Sequence, residues 1–363
     1  MRYTASVGRP HEPRFEGQAS AGGPAHDGTW CTSTVTPGRL DVGRSTGWRH
    51  EGRVRVGRMG SSTRRAALLL VRQLTNAGMA PVVANTLTSR RASAAEEGVV
   101  RVIAVSNQKG GVGKTTTVVN LAAAARRAGQ RVLTIDANPQ AHLSRHVGAE
   151  PDAIGLSALL RAAAAMQLDD DMLRAVLDQP RKGGIDCGDL IPAEATLDDD
   201  AAVLLNVSGR EQLLREALVP IHDDYDVAII DTAPGFDLIA TNAWVAADEV
   251  LVPCPPEVYA LEGLAKLARH LAEVRHRLNP DLRVLGILLT LAELHTVDGR
   301  ATADALRAGA PWPVLEQVVA KRVAYRQAAS ERVSVDALDA HLSYVWDLIC
   351  EEVLTPTREV LSV

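Results

Sequence analysis

Long apolar runs are missing from this sequence of 363 residues: nothing approaches the roughly 18 uninterrupted apolar residues of a membrane span, and residues 1–30 lack the apolar centre of a secretory signal. The expectation is a globular protein of the cytoplasm with no membrane partner. Cysteine is also sparse. Cys31, Cys187, Cys254 and Cys350 are scattered, with no CxxC pair and no His or Cys at metal-ligand spacing, which argues against a zinc site and a disulfide framework and leaves buried or incidental thiols. There are no internal repeats. Lysine is absent from the first 100 residues, which hold 14 Arg against 7 Asp plus Glu and carry +7, whereas the remainder has 25 basic and 37 acidic residues and carries -12. A basic arm on an acidic body is either a nucleic-acid contact or an unstructured leader.

The chain is long enough for one large domain or two ordinary ones, and its 46% hydrophobic content supplies a sizeable core. Residues 1–98 read as a low-complexity basic extension, rich in Gly, Arg, Ser, Thr and Pro, with one short helix expected over 61–77, where SSTRRAALLLVRQLTNA carries a Leu/Val stripe. After Gly98 short β-branched runs alternate with Ala- and Leu-rich stretches, the pattern of a parallel sheet covered by helices. The fold class expected for residues 99–354 is therefore α/β, doubly wound and mostly parallel, with 355–363 as a tail. Strands are expected at Val100–Ser106, Arg131–Asp136, Asp226–Asp231, Glu249–Pro253, Arg283–Thr290 and Val314–Val319, and long helices at Lys114–Ala128 and Val258–Leu278.

One stretch carries chemistry. VRVIAVSN is strand-like, KGGVGK (109–114) is glycine-rich, and TTTVVNLAAAARRAG is helical, which is the strand, loop, helix order of a phosphate-binding loop. Glycines let successive N–H groups converge on phosphate oxygens, and the helix N-terminus adds its dipole. Gly110, Gly111, Val112, Gly113, Lys114, Thr115 and Thr116 are the candidate cradle, with Lys114 neutralising the β- and γ-phosphates and the Thr115 hydroxyl holding Mg²⁺. The strict GxxxxGK[ST] pattern nonetheless fails, because Gln108 stands at its first glycine. A second lysine, Lys109, precedes the glycines.

KGGVGKTTT resembles the deviant Walker A motif of the ParA/MinD family of P-loop ATPases, and the resemblance extends over roughly residues 99–350. IDANPQAHLS is similar to the family's DxDPQ segment, DVAIIDTAPGFD (226–237) to its Walker B strand, and GDLIPAEATLDDD, LVPCPPEVYALEGLAKL and NPDLRVLGILLT to its later segments. The resemblance implies ATP and Mg²⁺ as cofactors, Asp231 as the carboxylate that holds the metal through water, and Lys109 reaching across an ATP-dependent homodimer to the nucleotide of the other subunit. Asp136 matches the first acid of DxDPQ. Asn138 replaces the second, the acid associated with orienting the attacking water, so hydrolysis is expected to be slow.

Within the family, the order and spacing resemble the chromosome and plasmid partition ATPases. TPTREVLSV does not look like a basic membrane-anchoring helix, residues 232–245 contain no cluster-binding cysteine, and there is one P-loop rather than two. Partition ATPases imply non-specific DNA binding by the ATP dimer, a ParB-like centromere-binding partner and a nucleoid-associated location. Lys321, Arg322 and Arg326 in VVAKRVAYRQAASER fall in the family's DNA-contacting segment, although other basic positions of the family are here Ala324 and His295. The alternative expectation is a nucleotide-gated positioning or regulatory protein with little hydrolysis, acting on a cargo other than DNA.

Overall fold

The computed structural model describes residues 100–150, 153–179, 185–257 and 259–355. The basic extension, its expected helix over 61–77 and residues 356–363 of the tail lie outside the described residues.

Seven strands form one parallel sheet in the order β3-β2-β4-β1-β5-β6-β7. They are β1 (Arg101–Val105), β2 (Val132–Ala137), β3 (Asp189–Ile191), β4 (Val227–Thr232), β5 (Glu249–Cys254), β6 (Arg283–Ala292) and β7 (Val314–Ala320). Six of these were legible as β-branched runs. The seventh, β3, was missed because three residues are too few to show any period, and its place at the sheet edge comes from pairing with β2.

The strand at the centre shows why helices cover both faces. Val102 and Ala104 of β1 point into one core with Leu133, Ile135, Ile230 and Trp244, while the alternate residues Ile103 and Val105 point into a second core with Val118, Leu121, Ile229 and Trp346. Strands buried on both faces must be apolar throughout, and burying an Ile such as Ile103 stabilises by about 1.5–3 kcal/mol.

The second core is closed by α1 (Lys114–Arg127), whose run of small alanines lets it lie close to the sheet, and by α11 (Ala340–Leu354), which packs against α1 and β7. Helix α1 ends where expected: Gly129, at φ 84°, takes the left-handed conformation and its N–H bonds to Arg126 O at 2.9 Å. Between α1 and β3 the chain forms α2 (His142–Val147), α3 (Leu156–Ala164) and α4 (Asp170–Leu177); α5 (Leu197–Leu204) and α6 (Leu213–Leu218) precede β4. Then follow α7 (Leu238–Ala246), α8 (Ala260–Arg277), α9 (Val297–Gly309) and α10 (Val323–Glu331).

The chain runs from β1 past β4 to β2 and β3, returns at β4, and then builds the other half of the sheet through β5, β6 and β7. Ligands of such sheets bind beyond the carboxyl ends of the strands where this order reverses. Here that point lies between β1 and β4, and register aligns Val105, Asp231 and Asp136 side by side on β1, β4 and β2.

Candidate nucleotide site

The glycine-rich loop leaves β1 at this point. Gly111 and Gly113 have φ of 72° and 92°, conformations that side chains rarely adopt, and a Cβ at Gly110 or Gly111 would meet nothing within 4 Å. The loop therefore faces open space with its backbone. Thr117 N–H makes the bond to Gly113 O (2.8 Å), so the N–H groups of Lys114, Thr115 and Thr116 are those of an open first turn.

Three side chains, one at the start of the loop and two from distant strands, hold the loop and the strand end that leads into it. Asn107 bridges it, donating to Pro253 O (2.8 Å) and accepting from Lys109 N–H (3.1 Å). Thr290 on β6 donates to Val112 O (2.7 Å), and Thr232 on β4 donates to Val105 O (2.9 Å). The sequence marks none of the three: Asn107 closes the strand-like run VRVIAVSN, and the threonines reach Val112 and Val105 only through the sheet.

Lys114 is buried and donates to Asn107 O (3.0 Å) and Lys109 O (3.1 Å). Burial lowers its pKa, partly offset by the attraction of Asp231. The Thr115 hydroxyl donates to Asp231 Oδ2 at 2.7 Å, while Asp231 Oδ1 is buried without a hydrogen-bond partner among the described residues. Burial pushes the Asp231 carboxyl well above the ordinary carboxylate range, and the neighbouring Asp136 adds to the shift. Asp136 is also raised, again chiefly by burial, against the hydrogen bonds it accepts from Ser144 N–H (2.8 Å), Ser144 Oγ (2.7 Å) and Asn138 N–H (3.2 Å).

This donor set fits Mg²⁺. Two hard oxygens, a hydroxyl and a carboxylate with an orphaned lone pair, adjoin an open phosphate cradle, and Mg²⁺ characteristically takes one or two protein oxygens and completes its shell with water and phosphate. No cluster of three or more His, Cys, Asp or Glu able to hold a metal occurs among the described residues, so an all-protein cage is not what the site offers.

Lys114, Thr115, Asp136 and Asp231 thus lie together, and Asn138 stands beside them through its N–H bond to Asp136 Oδ1. Asn138 is buried, and its Oδ1 accepts from Gln140 N–H (3.1 Å), so its amide closes the turn that leads into α2. Lys109 points elsewhere: its ammonium pairs with Glu257 in the loop after β5, and both side chains are more than half exposed. Lys321, Arg322 and Arg326 are exposed at the β7–α10 corner, with Lys321 Nζ 3.2 Å from Glu293 Oε2.

A protein-family profile described as an AAA domain matches residues 100–284. The chain is 36% identical over 230 residues to the chromosome partitioning protein ParA of Myxococcus xanthus, covering 63% of this chain and 78% of that protein. It is 34% identical to the chromosome-partitioning ATPase Soj of Thermus thermophilus, covering 72% of this chain and 98% of the other. The chain belongs to the ParA/MinD family of P-loop ATPases. Among solved structures, cobyrinic acid a,c-diamide synthase of Mycobacterium smegmatis with bound ADP and magnesium is similar to this family member at 34% identity and a TM-score of 0.55, covering 64% of this chain and 93% of that one. No helix among the described residues of this ParA/MinD-family chain is long and apolar enough to cross a membrane.

Proposed function

We propose that this chain is a partition ATPase that closes into a dimer around ATP and Mg²⁺, binds DNA non-specifically in that state, and segregates chromosomal or plasmid DNA with a ParB-like centromere-binding partner on the nucleoid. The observation that carries the reading is the Thr115–Asp231 pair with its orphaned carboxylate oxygen beside an open glycine cradle, together with a second lysine that faces outward.

When bound, Mg²⁺ neutralises charge on the β- and γ-phosphates. In this reading Gly110–Thr116 orient the triphosphate through their N–H groups, and Lys114 exchanges its two loop carbonyls for phosphate oxygens. Thr115 and Asp231 would hold the metal. Lys109 leaves Glu257 and enters the site of the other subunit, which makes the cation at the transition state conditional on dimerisation. Asn138 offers water a single neutral acceptor where an acid would offer a base, so turnover is slow and the ATP dimer long-lived.

A second reading, favoured by the engagement of Asn138 Oδ1 in a turn, is a nucleotide-gated positioning protein with little hydrolysis and a cargo other than DNA. Size-exclusion chromatography with and without ATP, followed by DNA binding and turnover on the same fractions, separates the two. An ATP-dependent dimer that binds DNA and hydrolyses slowly supports partition, and a dimer that ignores DNA supports the second reading. Turnover stimulated by cobyrinic acid instead would move the chain towards the diamide synthase it also resembles.

A further inference from the structure

Beside the phosphate loop, on the face of the sheet covered by α1, lies a cleft of about 470 Å³. Its lining includes Thr115 and Thr116 from the first turn of α1, His142 and Arg145 on α2, and Ser330 and Arg332 at the end of α10. His146 also lines it; burial lowers the pKa of both histidines, so Arg145 and Arg332 carry the positive charge of the cleft. Glu331, adjacent in sequence, is not among the lining residues, and its carboxylate accepts from Gln327 Nε2 at 2.9 Å.

Helix α10 connects this cleft to the corner where Arg322 and Arg326 sit. Arg326 and Ser330, four residues apart, share one face of the helix, Arg322 precedes its first turn in extended conformation, and all three are exposed. Arg332 ends the helix in the left-handed conformation at φ 55°. Across the cleft, Arg145 donates to Gln140 O at 2.6 Å. The result is one basic track from the β7–α10 corner to the phosphate loop. From Arg322 to Ser330 it rises about 12 Å, the length of roughly three to four phosphates of one strand along a duplex axis.

We propose that a nucleic-acid backbone follows this face of α10 and that Arg145 and Arg332 hold one of its phosphates at the mouth of the cleft. The inference rests on the DNA-binding reading above and adds two contacts to it. It also brings the nucleic acid next to Thr115 and Thr116, so that one end of the DNA-contacting track abuts the nucleotide site. Guanidinium groups suit the task, since phosphate contact needs only a cation and a donor fork and carries no sequence information.

The test uses the full chain with ATP and Mg²⁺ and a labelled random-sequence duplex, followed by anisotropy across a salt series. The double variant Arg145→Gln/Arg332→Gln should reduce the slope of log affinity against log salt by about 0.9, the value for one phosphate, and each single variant by part of that. Each single change should loosen binding roughly three-fold or more at moderate salt. Arg145→Lys should restore most of the slope, and affinity for a fluorescent ATP analogue and the melting temperature should stay at their wild-type values.

If Arg322→Glu lowers the slope while the double variant leaves it unchanged, the cleft is not on the track, although the DNA reading survives. A wild-type chain that binds no DNA in any nucleotide state removes that reading and this inference with it. Loss of nucleotide affinity in the double variant would assign the cleft to the nucleotide, and loss of binding to polyglutamate with DNA binding intact would assign it to an acidic protein partner.

Discussion

Lys109 and Lys114 stand in one loop and face different chemistry: Lys114 is buried against loop carbonyls, and Lys109 is in an exposed ion pair with Glu257. Exposed pairs contribute about 0–1 kcal/mol, so Lys109→Ala should leave folding and monomeric ATP binding close to wild type while weakening the ATP dimer. Lys114→Ala should reduce nucleotide affinity itself. Isothermal titration and size exclusion on both variants check this, and equal loss of nucleotide affinity would remove the role of Lys109 in the other subunit's site. At Asn138 an aspartate would keep the turn to Gln140 N–H and add an oxygen for water. Asn138→Asp should therefore raise single-turnover hydrolysis on the order of 10-fold or more, and an unchanged rate with and without DNA would end the slow-turnover reading. Asp231 pays in stability for its chemistry. With its pKa raised by burial, the folded chain keeps a proton that the unfolded chain loses above the ordinary carboxylate range, so stability falls as pH rises through that window and the cost fades as pH falls back towards the ordinary range. Metal-free Asp231→Asn should melt roughly 2–5 °C higher near neutrality, lose that advantage at about pH 4, and lose Mg²⁺-dependent turnover.

Among the strands, β3 is the shortest and the one that local pattern failed to reveal. Its pairing with β2 requires Gly188: φ is 79°, and a Cβ there would lie 2.0 Å from Val132 O. Backbone cannot yield as a side-chain tip would, so Gly188→Ala should destabilise by about 2–4 kcal/mol in a denaturant titration, and a change under about 0.5 kcal/mol would contradict the packing. The damage should reach the site, because Ser144 Oγ accepts from Ala193 N–H just beyond β3 (2.9 Å) and donates to Asp136. Helix α1 is the opposite case. Its start at the phosphate loop and its end at Gly129 were both legible, since glycine conformations and an alanine-rich run are local properties that the sheet only confirms.

At the scale of the whole molecule, charge is unevenly divided, +7 on residues 1–100 and -12 on the rest. The exposed cations of α10 make the body sufficient for DNA contact in the proposed function. A chain lacking residues 1–98 should then keep ATP-dependent DNA binding with its salt dependence, measured by anisotropy, whereas Arg322→Glu in the full chain should weaken binding on every sequence alike. Loss of binding in the truncated chain, with Arg322→Glu inert, would give the site to the arm.

The sequence by itself determined the parallel sheet, the phosphate loop, the two acidic strand ends and the change at Asn138. Each is written in neighbouring residues: strands covered on both faces are apolar along their whole length, and a glycine-rich turn between strand and helix follows from backbone freedom. Only the tertiary structure decided which oxygen of Asp231 meets Thr115, that Thr290 clasps Val112 from 178 positions away, that Lys109 rests on Glu257, and that Arg145 and Arg332 line one cleft. Those contacts depend on the order in which strands were laid into the sheet. Strand order is a property of the folded chain as a whole, so no local period records it.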